Sequence, residues 1–449
     1  SSTLVVGRKP NDVKKKEAAR EKNLGSQWKV KTGSVPKQFS VSPSAGTYQS
    51  TNSAEEMNCC LTEAKEPRLV WINRILDEGV VHLLRRFRDN MNYKPQNATY
   101  SSSEANEEKN RYYNIPCIDS TRVVLKSGPC DYIHANWVTM KDGRKFICTQ
   151  GPLLNTMGDF WRMIVQEKCH MIVMLCRNIE YDEEKCAEYF PTPRYQSMVV
   201  NGTTTVNLKN QKTTDVGNII SHWTVEDRGE SFELQHVQCT SWEDHSAPDN
   251  TLAVIEVLRE ILKSSREHTI VVHCSGGIGR TCTLVGVLLL LERIRSRKDA
   301  TAVSLMKWLR SKRYGAIQKG IQFVFLHRVT IDMLCQEGVR KFNNEKLAQF
   351  EKKYQKLLKK QRKILKDRRN PEPPSYTDKS LVKTQEADDE DKQEENTILR
   401  NIAKIASDVT LKRLKKLQLN DADSVSNTNM SVTGDEDEDF LESEYCSFL

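Results

Sequence analysis

The chain has 449 residues, 38% apolar and 29% charged, with 68 Lys and Arg against 60 Asp and Glu for a net charge of +8. That is ample for one large domain with extensions. The longest apolar run, around 283–291, is far too short to cross a bilayer, and the basic, polar N-terminus shows no secretory h-region. Thirteen cysteines, an odd number without paired short spacings, and no Cys/His cluster of zinc-finger form argue for a reduced intracellular compartment.

Residues 1–65 read as a disordered basic region. Ser1 to Ser50 holds ten Lys/Arg and three Asp/Glu, and its apolar residues are sparse and aperiodic. The pattern changes at Leu69. Ile72, Ile75, Leu76, Val80, Leu83, Leu84 and Phe87 recur at helical spacing and predict the opening helices of a domain over 66–340. Short strands follow, among them Arg122–Leu125, Lys145–Thr149, Met171–Leu175 and Glu233–Thr240. A helix over Thr251–Lys263 precedes a buried strand, Thr269-Ile270-Val271-Val272, and a Leu/Val-rich helix follows over Thr283–Arg295. Strands followed by helices indicate α/β organisation.

Beyond the domain, 341–370 reads as a basic helical extension. Phe350, Tyr354, Leu357, Leu358, Ile364 and Leu365 line one side, and ten Lys and Arg from Lys352 to Arg369 cover the rest. It suits a solvated helix, an anionic-membrane contact or a nuclear-import patch through residues 359–363. The remainder, 371–449, reads as an acidic, mostly disordered tail. It holds a WW-domain ligand form at Pro373-Pro374-Ser375-Tyr376 and acidic runs at 386–395 and 435–439. A short amphipathic helix is expected over Ile398, Ile402, Ile405 and Val409, and Cys446-Ser447-Phe448-Leu449 has the outline of a prenylation box.

The chemistry is concentrated in His273, Cys274, Ser275, Gly276, Gly277, Ile278, Gly279, Arg280 and Thr281, which lie between that strand and that helix. Glycines let successive N–H groups point inward at an anion, and the helix adds its positive end. A thiol held there is expected to ionise at roughly pH 3.5–7.5 rather than near 8.5. Arg280 supplies a planar fork for two phosphate oxygens. Thiolate, amide cradle and guanidinium together suit attack on phosphorus. A merely buried Cys beside a tight turn would leave Arg280 and the glycines unexplained.

This loop resembles the signature of the cysteine-dependent protein-tyrosine phosphatases of non-receptor type. Further segments resemble that family's motifs in the expected order, from about Glu66 to Gly338. Lys109-Asn110-Arg111-Tyr112 resembles its phosphotyrosine-recognition loop. Residues 131–136, 149–152 and 185–191 resemble its core motifs. Trp242-Glu243-Asp244-His245 stands at its general-acid loop, and Gln318 and Gln322 at its glutamine loop. The resemblance implies a single domain with a central twisted mixed sheet flanked by helices on both sides, phosphotyrosine-containing protein substrates, and no cofactor or metal. No specific nucleic-acid partner is expected. The compartment expected is cytoplasmic, with nuclear or peripheral-membrane placement left open.

The resemblance also implies roles. Cys274 is the nucleophile, cradled by residues 275–280 with Arg280 on the phosphate. Asp244 is the general acid, Trp242 the hinge of its loop, and Thr281 the hydroxyl that stabilises the leaving thiolate. Gln318 and Gln322 position the hydrolytic water. Tyr112 sets pocket depth, Gly315 leaves the mouth open, and Lys185 reaches toward the acid loop. His273 holds the loop, and Glu180 orients Arg280. Three departures stand out. Glu243 replaces the family's usual Pro beside the acid, Asn114 its usual substrate-binding Asp, and Cys282 its usual Gly. Gly276 replaces an Ala and is expected to be tolerated. The departures keep a second class open, a catalytically weak phosphotyrosine-binding module. A dual-specificity or lipid phosphatase would lack the 109–112 and 318–322 motifs.

Overall fold

The computed structural model describes residues 66–296 and 300–369. The basic region 1–65, the Pro373–Tyr376 segment, the 398–409 stretch, the acidic runs and the Cys446 terminus lie outside the described residues.

A nine-stranded mixed sheet carries the site. Its strands are β1 (Arg122–Val124), β2 (Tyr132–Thr139), β3 (Lys145–Thr149), β4 (Cys169–Met174), β7 (Ser197–Val200), β8 (Thr204–Thr213), β9 (Ile219–Asp227), β10 (Glu230–Gln238) and β11 (Thr269–His273), in the order β1-β2-β3-β11-β4-β10-β9-β8-β7. A separate hairpin joins β5 (Ile179–Glu180) to β6 (Glu183–Glu184). The strands β3, β11, β4 and β10 run parallel to one another.

Strand β11 is the run Thr269–Val272 extended by His273, and all five residues are buried. A strand covered on both faces needs no polar alternation, which is why it reads as a continuous apolar run. Its register sets His273 opposite Thr149 of β3 and Met174 of β4. The chain therefore leaves the sheet at Cys274, between the C-terminal ends of two parallel neighbours. Gly151 N–H donates to Ser275 O at 2.8 Å, and Leu175 N–H to His273 O at 2.8 Å, fixing that exit on both sides.

The helices are α1 (Pro67–Asn90), α2 (Ser101–Glu104), α3 (Met157–Gln166), α4 (Leu252–Lys263), α5 (Arg280–Ser296), α6 (Ala302–Arg310), α7 (Gly320–Gln336) and α8 (Asn344–Arg369). Helix α1 starts on a Pro at its first position, where the missing N–H costs nothing. It is interrupted at Gly79, whose φ of 68° no helix accepts, so the opening helices are two segments. All seven of their expected apolar positions are buried. Helix α5 begins at Arg280, three residues before its apolar periodicity suggests, and is buried almost throughout. Its Leu-rich run packs beside α1, α6 and α7. No helix among the described residues is long and apolar enough to cross a membrane.

Helix α8 lies on the domain. It buries Phe350, Tyr354, Leu357, Leu358 and Leu365, with Ile364 half-buried. Its Lys352, Lys356, Lys359 and Lys363 stay exposed.

Candidate active site

The Cys274–Gly279 loop is tightly constrained from below. Gly277 has φ +69°, and a Cβ there would lie 2.1 Å from Thr149 O, so only glycine fits. Arg313, fully buried, donates from Nη2 to Gly276 O at 3.0 Å and from Nε to Gly277 O at 3.2 Å. Its Nη1 donates to Asn136 Oδ1 at 2.8 Å, and Nη2 also meets His134 Nδ1 at 2.9 Å. Carbonyls drawn outward leave the loop's N–H groups facing inward. Gly277 N–H already donates to Cys274 Sγ at 3.3 Å. His273 Nδ1 donates to Cys274 O at 3.2 Å while its Nε2 accepts from Tyr189 Oη at 2.8 Å.

Arg280 is fully buried and ends in three places. Its Nη1 donates to Glu180 Oε1 at 2.6 Å and to Trp242 O at 2.9 Å. Its Nη2 lies 3.0 Å from Asp244 Oδ1. That contact is close but badly aligned, because Nη2 and Nε both remain without a hydrogen-bond acceptor among the described residues. Thr281 Oγ1 and Gln322 Nε2 are buried and equally unsatisfied. Buried donors of this kind are normally met by protein, water or a bound ligand, and no protein group among the described residues meets these.

The acid loop folds over this group. Trp242 is buried, its Nε1 donates to Ser246 O at 2.9 Å, and its ring meets Phe325 edge-on at 5.1 Å. Asp244 lies 3.7 Å from Lys185 Nζ and 3.8 Å from His245 Nε2. Burial pushes the Asp244 carboxyl up, but Arg280, His245 and Lys185 outweigh it and hold the group below its ordinary value. Cys274 goes the other way. Burial pushes its thiol up, against Arg280, and the nearby Asp244 carboxylate adds to the rise while Thr281 opposes it. The low thiol value expected from sequence is therefore not found in the ligand-free fold: burial above all, and then the Asp244 carboxylate, hold the thiol above its ordinary value.

Residues 109–112 border the Cys274 loop. Tyr112 Oη shares a hydrogen bond with Ser275 Oγ at 2.7 Å, and burial raises the phenol's pKa. Arg111 fixes the 109–112 segment by donating to Gly151 O at 3.1 Å and Pro152 O at 2.8 Å, and Lys109 pairs with Asp159 at 3.0 Å. Opposite, Ile317 N–H donates to Ile278 O at 3.0 Å, and Gly315 has φ +65°, with a Cβ on it standing 3.3 Å from Ile278 Cδ1. Gln322 Oε1 accepts from Gln318 N and Lys319 N, both at 3.2 Å. A Cβ at Gly279 would lie 2.9–3.1 Å from the amides of both glutamines. Asn114 is exposed at the rim.

The family model described as protein-tyrosine phosphatase matches residues 106–332. The chain belongs to the protein-tyrosine phosphatase family. It is 34% identical over 244 residues to human receptor-type tyrosine-protein phosphatase eta, covering 51% of this chain and 18% of that protein. It is 33% identical over 258 residues to Arabidopsis thaliana protein-tyrosine-phosphatase PTP1, covering 53% and 74%. The crystal structure of the catalytic domain of human protein tyrosine phosphatase non-receptor type 18 superposes with TM-score 0.55 at 26% identity, over 60% of this chain and all of that one. The chain spans less than a fifth of the length of its receptor-type relatives eta and of the Caenorhabditis elegans Lar-like phosphatase.

Against that family pattern, the departures have structural settings. Cys282 is buried with its Sγ near Gly277 O, and its thiol is pushed up first by Cys148 beside it. A Cβ on Gly276 would meet Ile115 Cδ1 at 3.0 Å, the end of a flexible side chain, so alanine needs only a small shift there. Arg313, which holds the loop carbonyls, is the site residue that sequence reasoning missed. One arginine in a chain with 68 basic residues carries no spacing signal. Only its burial under the loop singles it out.

Proposed function

We propose that this phosphatase domain hydrolyses phosphotyrosine in proteins through a phosphocysteine on Cys274, with Asp244 as general acid. The observation that carries this reading is the pair of unmet N–H donors on buried Arg280, beside Cys274 and under Asp244. A phosphate dianion placed there receives both. It also neutralises the cation that keeps Asp244 ionised, so the Asp244 pKa rises as substrate binds. One proton on Asp244 and none on Cys274 is then the productive state. Sγ attacks phosphorus, the P–O bond to the phenol breaks, and Asp244 delivers its proton to the leaving oxygen. Water attacks the phosphocysteine in the second step, with Asp244 taking its proton and Gln322 Nε2 holding its oxygen. Thr281 Oγ1 donates to the departing thiolate.

Tyr112 in the wall suits an aromatic phosphoester and disfavours the shorter phosphoserine. A solved structure described as the structural basis of the PTPN18 fingerprint on distinct HER2 tyrosine phosphorylation sites is 28% identical to this chain, and phosphotyrosine peptides are the proposed substrate class. The binding-module alternative rested on Glu243, Asn114 and Cys282. Cys282 sits behind the loop rather than in the pocket, which weakens that alternative. The ten described cysteines are all free, in keeping with an intracellular, reducing compartment. The segment 66–340 is proposed as the catalytic unit. Turnover of a phosphotyrosine peptide beside a Cys274→Ser control tests the reading. Wild-type activity with loss in the variant is expected; equal activity in both, or none in either, contradicts it.

A further inference from the structure

Helix α8 follows the residues that match the family, and it touches the acid loop at four points. Tyr354 Oη donates to Pro248 O at 2.6 Å, with both residues buried. Gln355 Nε2 donates to Asp249 O at 2.8 Å. Gln361 is a fully buried polar side chain on an otherwise apolar face, and its Nε2 donates to His245 O at 3.1 Å. Arg362 forks onto Asp249 with contacts of 2.7 and 3.1 Å. Its Nε lies 3.9 Å from Glu243, the residue that stands where the family has Pro. Asp244 is thus flanked on both sides by residues in contact with α8.

The helix end reaches a second element. The Arg369 guanidinium stacks on the Tyr181 ring at 3.2 Å, in the turn that follows Glu180. Glu180 holds Arg280, so α8 bridges the acid loop and the hairpin that orients the phosphate-binding arginine. His245 has φ +55°, an unfavourable backbone for a residue with a side chain. Such a conformer persists where surrounding contacts over-determine it. Gln361 supplies one of those contacts, on the residue next to the acid. A cleft of 350 Å³ lined by Lys185, Asp244, His245 and Lys319 stays between helix and acid, so α8 holds the loop without sealing it.

We infer that α8 is part of the catalytic apparatus, with Gln361 and Arg362 as positioning residues that keep the Asp244 loop closed over the phosphate site. Glu243 gives up the stiffness of a proline and gains a cation on α8 in exchange. This rests on the reading of Asp244 as general acid. A helix that only stabilised the fold would affect all substrates alike. One that positions the acid affects those whose leaving group needs a proton.

The test uses the full chain with Gln361→Ala, Arg362→Ala and the double change. Turnover is measured on phenyl phosphate and on an aryl phosphate with a strongly acidic phenol, and hydrogen exchange is followed over residues 242–249. The double variant should lose about tenfold or more on phenyl phosphate and less than about twofold on the activated ester, with faster exchange in the loop. Arg362→Lys, which keeps the charge but loses the fork, should recover only part of the loss. Equal losses on the two esters, or loop exchange unchanged from wild type, would overturn the inference. Should wild type turn over neither ester, the phosphatase reading fails, and the exchange measurement still decides whether α8 holds the loop.

Discussion

Asp244 and Glu180 share one guanidinium: Glu180 Oε1 takes Arg280 Nη1 at 2.6 Å, and Asp244 Oδ1 stands 3.0 Å from Nη2. The first contact is a well-formed hydrogen bond. The second is a misaligned placeholder, because Nη2 still lacks an acceptor. A buried cation held by one fixed carboxylate and one exchangeable carboxylate is suited to an anion that comes and goes.

If Asp244 is the general acid, Asp244→Ala should lower kcat on phosphotyrosine by roughly 10²–10⁴-fold. The loss should be far smaller on an ester whose phenol leaves unaided, and KM should change little. The variant should retain phosphorylated substrates and release them to vanadate. Steady-state kinetics on both substrates decide it. Equal losses would mean that Asp244 shapes the loop rather than donating a proton.

The charges around Asp244 give a pH prediction. Arg280, His245 and Lys185 hold its pKa down against burial, so in the free enzyme the acid is lost at unusually low pH. Removing a cation must raise that pKa. Lys185→Met should therefore move the basic limb of the kcat/KM profile to higher pH, since that profile reports the free enzyme. A limb that stays in place, or moves down, contradicts the assignment.

Arg313 is the next case. Replacing it by Met keeps bulk but leaves Gly276 O without its donor, and leaves Gly277 O and Asn136 Oδ1 only the weak thiol donors Cys282 and Cys117. Each buried acceptor left unmet costs about 1–3 kcal/mol. The loop should lose its inward amide geometry, and vanadate affinity should fall with melting temperature. Calorimetric titration checks this. Unchanged oxyanion affinity would show that the loop holds its shape without Arg313.

How much of this was legible beforehand depends on where the information sits. The phosphate loop was readable because its chemistry is contiguous: Cys274, Gly277 and Arg280 lie within seven residues. Strand β11 and helix α5 were readable because β11 is buried throughout and α5 over Leu284–Leu291, which makes both read as apolar runs. The long strands β8 and β9 were not, since β8 leaves its last five residues, Lys209 to Thr213, exposed and reads as polar chain. Arg313 and the grip of Gln361 on His245 were not either. Arg313 reaches Gly277 O and Gly276 O from 36 and 37 residues away, and Gln361 reaches His245 O across 116, each by a single polar side chain that no local pattern encodes.

Asp119 supports the wall of the pocket from outside. Its carboxylate accepts from Ser101 N and Ser102 N at 2.9 and 3.0 Å, capping α2, and Asn110 of the recognition loop donates to Ser103 O there. Burial is the largest single influence and raises the Asp119 pKa, but the hydrogen bonds from Thr99, Ser102 and Ser101 together outweigh it and bring it to about 2. A folded pKa below the unfolded value near 3.8 means stability that is fully present above 3.8 and lost as pH falls through 2. Asp119→Asn should melt below wild type at neutral pH, with the gap closing as pH drops toward 2. A gap that is constant with pH would show that the charge is not what stabilises.

The most direct test of the central claim is to catch the phosphoryl group on the enzyme. A phosphotyrosine peptide with radiolabelled phosphate is mixed with wild type, Gln322→Ala and Cys274→Ser, and each reaction is denatured within one turnover. Gln322→Ala should slow the water step and raise the labelled fraction. The account predicts label on the peptide containing Cys274 in the first two proteins and none in the third. Peptide turnover without label on Cys274, or label that survives Cys274→Ser, would contradict it.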